Sequence, residues 1–169
     1  MLGWNFGQFH LGAAMAFYAP TGDYSVGRII DIGVNRWAIE PDASFTWLDP
    51  ERGHEVSLFT GYTVNAENSA TRYRSGDEFH ADFVVAQHLR HGVVAGIAGY
   101  AVQQTTPDSG SGAVLGPFKG RVLALGPLLG KSLVIGSVPI RVTAKYQFEF
   151  AAQNRPTGDA LWLTAGAMF

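Results

Sequence analysis

Ile140-Arg-Val-Thr-Ala-Lys-Tyr-Gln-Phe-Glu-Phe150 decides the fold class. Ile140, Val142, Ala144, Tyr146, Phe148 and Phe150 alternate with Arg141, Thr143, Lys145, Gln147 and Glu149. A strand sends successive side chains to opposite faces, so this stretch reads as a strand with one apolar and one charged side. The next run, Ala160 to Phe169, repeats the pattern more weakly. Leu161, Leu163, Ala165, Ala167 and Phe169 share one face.

The same alternation recurs upstream. Phe9, Leu11, Ala13, Met15 and Phe17 mark the first predicted strand, closed by the turn residues Ala19-Pro-Thr-Gly-Asp23. The second runs from Arg36 to Trp47, with Trp37, Ile39, Ala43, Phe45 and Trp47 opposite Arg36, Glu40, Asp42, Ser44 and Thr46. Pro41 falls inside it and lacks an N–H, which predicts a bulge or bend. A third strand spans Glu55 to Asn65, and a fourth begins at Glu78 with His80 and Asp82 on its polar side. Val93–Gln103 and Arg121–Leu129 are apolar runs of ambiguous facing, the second ending in a turn from Gly130 to Val138. With 140–150 and 160–169 this makes about eight strands, and no segment keeps a helical period.

Composition narrows the class. The chain has 169 residues, 47% hydrophobic and only 15% charged, which is too apolar for a disordered segment and fits one domain spanning 1–169. Net charge is −2 with no basic block, so no nucleic-acid partner is expected. Cys is absent, which removes disulfides and thiolate chemistry. No run approaches the roughly 18 apolar residues of a membrane-spanning helix. Met1-Leu-Gly-Trp-Asn lacks the basic start and apolar core of a secretory signal, so export would need a leader upstream of this sequence.

Two features favour an antiparallel up-and-down transmembrane β-barrel, complete or as the C-terminal part of a larger one. Connections alternate long and short, as external loops and periplasmic turns do in such barrels. The apolar face carries Trp37, Trp47, Tyr62, Tyr146 and Phe169, residue types that form interfacial girdles. The turns at 49–54, 90–92 and 130–138 are then periplasmic, and the loops at 19–35, 65–77, 104–119 and 151–159 external. Outer-membrane lipid is the expected partner of the apolar face. Phe169 is the expected contact for barrel-assembly machinery.

Several motifs resemble a known family. They are Tyr18-Ala-Pro-Thr-Gly-Asp-Tyr24, Gly33-Val-Asn-Arg-Trp37, Tyr73-Arg-Ser-Gly-Asp-Glu-Phe-His80, Asp108-Ser-Gly-Ser-Gly112, and Phe118-Lys-Gly-Arg-Val122 with Gly126-Pro127. In order and over essentially the whole chain, they are similar to outer-membrane proteins assigned to the meta pathway of phenol degradation, often labelled transporters. The resemblance implies a β-barrel in the bacterial outer membrane that passively admits small hydrophobic or aromatic solutes. Members are generally longer, with a signal peptide and further strands ahead of this region.

The candidate lumen residues are Arg36, Glu40, Asp42, Glu78, His80, Asp82, Arg141, Lys145 and Glu149. His beside carboxylates suits a divalent ion. The preferred reading is an internal salt-bridge network in which Arg36, Arg141 and Lys145 neutralise the acids. Ser57, His80 and Asp82 contain the residue types of a hydrolase triad, but there is no nucleophile elbow, so no enzyme and no cofactor are expected. Asp108–Gly112 lacks the Gly-Lys-Ser/Thr ending of a phosphate loop and reads as a mobile external loop. Two other functions fit the pattern: a closed structural or adhesive barrel that transports nothing, and a soluble ligand-carrying barrel with its apolar face inward.

Overall fold

A computed structural model describes residues 1–28 and 30–167. The protein is all-β: nine strands form one sheet in simple sequence order, every neighbouring pair antiparallel. They are β1 (Leu2–Phe6), β2 (Phe9–Tyr18), β3 (Ala38–Asp49), β4 (His54–Asn65), β5 (Glu78–His88), β6 (Val93–Gln104), β7 (Arg121–Ile135), β8 (Val138–Gln153) and β9 (Asp159–Ala167). The one helical element among the described residues is a short 3-10 turn at Arg90–Gly92. The sheet is open: β1 and β9 do not pair with each other among the described residues. Phe169, expected to contact assembly machinery, lies outside the described residues.

Four expectations are corrected. First, a strand precedes Phe9. Leu2, Trp4 and Phe6 alternate over five residues, and Gly7, at φ 62, closes a two-residue turn with Gln8. Second, β7 does not stop at Leu129. It continues to Ile135, because Gly130 and Lys131 pair with β6 on one side and β8 on the other. The turn is only Gly136–Ser137, with Gly136 at φ 65, as tight hairpins require. Third, β3 begins at Ala38 instead of Arg36. Fourth, Pro41 makes no bulge. Pairing with β4 lapses at Glu40 and Pro41, then resumes in the same register, so the missing N–H removes bonds without inserting a residue. The bulge sits elsewhere, between Arg121 and Leu123 opposite β8, where Ala151 adopts φ 54.

The register sorts all nine strands onto two faces. One carries Phe9, Leu11, Phe17, Phe45, Leu58, Phe83, Leu125, Val142, Phe148, Leu161 and their alternates. Large apolar side chains on this face are exposed, Phe17 at 71% and Leu163 at 73%. The other face carries most of the charged and small residues, and most of the buried strand residues lie on it. Ala86, Val94, Ala98, Val122, Ala124, Leu128, Asn65 and Gln147 all lie on it. The polar face is therefore the concave one. Lys145 of β8 lines the same cavity, about 190 Å³, as Ser44, Thr46 and Ser57 of β3 and β4. A flat sheet would hold β3 and β8 some 24 Å apart at about 4.8 Å per strand.

Connections alternate as expected. Short turns join β1–β2, β3–β4, β5–β6 and β7–β8, and the longer loops emerge at the opposite end.

Candidate functional site

The concave face of β3, β4 and β5 brings four of the predicted residues together. Asp42 pairs with Gly61, and Gly61 with His80, so the three lie on one rung across three strands. Gly61 leaves the space between the two side chains open. A Cβ there would collide with His80 Nε2 and Asp42 Oδ1. Glu40 sits beside Thr63, whose hydroxyl donates to Glu40 Oε2. Tyr18 donates to Glu40 Oε1 at 3.1 Å. His80 Nε2 is 3.6 Å from Glu40 Oε1, and His80 Nδ1 is 3.8 Å from Asp82 Oδ2. Phe59, one rung along with Asp82, covers the His80 ring at a centroid distance of 5.7 Å. Glu78 follows on the same face, opposite Thr63.

The predicted salt-bridge network is not formed here. Among the described residues, His80 is the only basic group within ion-pair distance of Glu40. Asp42 Oδ1 is buried without a hydrogen-bond partner. Arg36 instead donates its Nε to Asn65 Oδ1 at 3.0 Å, beyond the end of β3. Lys145 lies along the cavity wall formed with Ser44, Thr46 and Ser57. Arg141 of β8 lies opposite Ser132, and Glu55 belongs to a second cluster nearer the short-turn end. There His88 Nε2 and Glu55 Oε2 are 2.6 Å apart, and Ser57 donates to Glu55 at 2.8 Å. Ser57 is thus committed to Glu55 and lies opposite Val84, two rungs from His80, so the triad does not assemble. Glu149 stands apart from both clusters. It accepts from Tyr100 at 2.5 Å and from the Gly158 N–H at 2.9 Å, and Arg155 is 3.6 Å away.

The long loops make a stitched rim. Asn35 Nδ2 donates to Asn68 Oδ1 at 3.0 Å, and Arg74 binds Asp77 with the pair's closest approach at 3.0 Å. The Asp108–Gly112 run is held, contrary to its reading as a mobile loop. Ser109 pairs with Arg74, Gly112 N–H donates to Arg72 O at 3.0 Å, and Asp108 Oδ1 accepts from Gly76 N–H at 3.0 Å. Gly76 is required because a Cβ would strike the Thr106 carbonyl. Burial pushes the Tyr73 hydroxyl above its ordinary value, and hydrogen bonding to Asp108 and that residue's charge add to the effect. Sequence reasoning missed this rim because the bonds that join one loop to another link residues some thirty positions apart, such as Gly76 and Asp108. The repeated small and polar residues of the motifs were the available signal.

Residues 1–165 match the family described as "Putative MetA-pathway of phenol degradation". No curated protein and no solved structure matches the chain.

Proposed function

Because the chain belongs to this phenol-degradation family, we propose that it forms wall of an outer-membrane β-barrel through which small hydrophobic and aromatic solutes pass by diffusion. The observation that carries the reading is the row of exposed large apolar side chains that the register puts on one and the same face of all nine strands. A continuous exposed apolar surface of this extent is unfavourable in water and suited to acyl chains. The charged and hydroxyl-bearing residues then meet water on the concave side, with the stitched rim at the external end. Unpaired strand edges are costly in lipid, so the β1 and β9 edges are satisfied by closing on each other or through further strands. Phe169 would engage the assembly machinery. No chemical step is assigned to the protein; selectivity comes from Glu40, Asp82, Lys145 and Arg141 along the path.

The test is uptake of a small aromatic solute such as phenol by liposomes carrying the protein, with Lys145→Met and Asp82→Asn compared. Faster entry than into empty vesicles, with altered charge selectivity in the variants, supports the reading. Entry equal to that of empty vesicles sinks it. A non-transporting barrel is the second reading, favoured by the side chains that span the concave face, Tyr100 to Glu149 above all. Planar-bilayer conductance separates the two, since a filled barrel is silent.

A further inference from the structure

We propose that Glu40, Asp42 and His80 form a binding site for a divalent cation of the Zn²⁺ class on the concave face of β3–β5. One ligand atom from each lies within 4.8 Å of the other two. In a tetrahedral site with bonds of about 2.0 Å, ligand atoms stand about 3.3 Å apart. The His80 Nε2 to Glu40 Oε1 distance, 3.6 Å, is already close to that edge. Small side-chain rotations bring the third ligand in, because Gly61 leaves nothing between Asp42 and His80.

Three further observations point to a cation. Asp42 Oδ1 is buried with no donor reaching it, a costly state for a carboxylate oxygen. Two carboxylates converge here, and among the described residues His80 is the only basic partner of Glu40. The surrounding groups also orient the ligands. Tyr18 and Thr63 both donate to Glu40, and Asp82 faces His80 Nδ1 at 3.8 Å. That separation is too long for a hydrogen bond, but it puts a carboxylate on the Nδ1 side of the ring and leaves Nε2 turned toward Glu40 and Asp42. One imidazole and two carboxylates suit Zn²⁺, Co²⁺ or Mn²⁺, with a remaining coordination position for water or solute. The site does not depend on transport, so a failed uptake assay leaves it standing.

The experiment uses the untagged full chain in detergent micelles, stripped with chelator and titrated with Zn²⁺ by calorimetry. Co²⁺ is then added as an absorption probe of imidazole coordination. A single saturable site is expected, weakened about tenfold or more in His80→Gln and in Asp42→Asn. Asp82→Asn weakens it less, and His54→Gln, on the opposite face, leaves it unchanged. Far-UV circular dichroism establishes that each variant keeps its strands. Absence of saturable binding in the wild-type chain overturns the proposal. So does binding that persists undiminished in folded His80→Gln and Asp42→Asn, which marks an adventitious ion only.

Discussion

Tyr100 donates its hydroxyl proton to Glu149 at 2.5 Å across a strand to which neither belongs. The rung explains how. Tyr100 pairs with Ala124 of β7, and Ala124 pairs with Glu149 of β8, so all three share the concave face. Ala124 is small enough for the phenol to pass over it. The contact ties strands two apart and helps set the curvature of the sheet. Tyr100→Phe should cost about 1.5–3 kcal/mol, the usual range for a hydrogen bond to a charged group. Ala124→Leu should cost a similar amount by displacing the ring. Denaturant unfolding in micelles measures both. A loss under about 0.5 kcal/mol for Tyr100→Phe would show that the bridge contributes little.

Gly61 and Gly166 lie on the same face in different surroundings. A side chain at Gly61 meets His80 and Asp42, whereas nothing lies within 4 Å of a Cβ at Gly166. Gly61→Val should destabilise by about 1–3 kcal/mol through overpacking. Gly166→Val should stay within about 0.5 kcal/mol of the parent. Equal effects at the two positions would contradict the packing described for the cluster.

The two faces should respond oppositely to charge. Leu58→Arg places a guanidinium on the apolar face and should cost about 2–4 kcal/mol in a bilayer if it lies near the midplane. Thr143→Arg, on the concave face, should cost well under that. Unfolding from phosphatidylcholine vesicles provides the comparison.

Tyr73 predicts a pH dependence at the rim. Its folded-state value is raised above 10.0, by burial first and then by Asp108. The folded state therefore retains the phenolic proton more tightly than the unfolded chain does. The associated stability is fully present below the unfolded value near 10.0 and is lost as pH rises through the folded one. Unfolding measured from pH about 9 upward should show this loss, and Tyr73→Phe should remove that component. An unchanged slope in Tyr73→Phe would assign it to other groups.

Much of the sheet is readable from local alternation. Ile140–Phe150 and the charged side of Glu78–Asp82 announce their facing because polar and apolar residues strictly alternate. Val93–Gln104 and β7 do not, since both their faces are small or apolar, and only pairing with neighbours fixes them. β1 is short, and its signal was three alternating apolar residues before a single Gly-containing turn. The predicted lumen residues do share the concave face where they lie in strands, but their partners depend on register. No local pattern says that Gly61 separates Asp42 from His80, or that Arg36 turns to Asn65. The salt-bridge expectation failed because charges on one face need not share a rung.

The most direct test of which solvent each face meets exploits the absence of Cys. Single cysteines placed in turn from Val56 to Thr60 carry a nitroxide label, and the protein is reconstituted in liposomes. Collision with oxygen and with a water-soluble nickel complex is measured at each position by electron paramagnetic resonance. A two-residue alternation is expected, with Val56, Leu58 and Thr60 favouring oxygen and Ser57 and Phe59 favouring the nickel complex. The inverse alternation, or nickel access at Val56, Leu58 and Thr60 equal to that on the concave face, would contradict it.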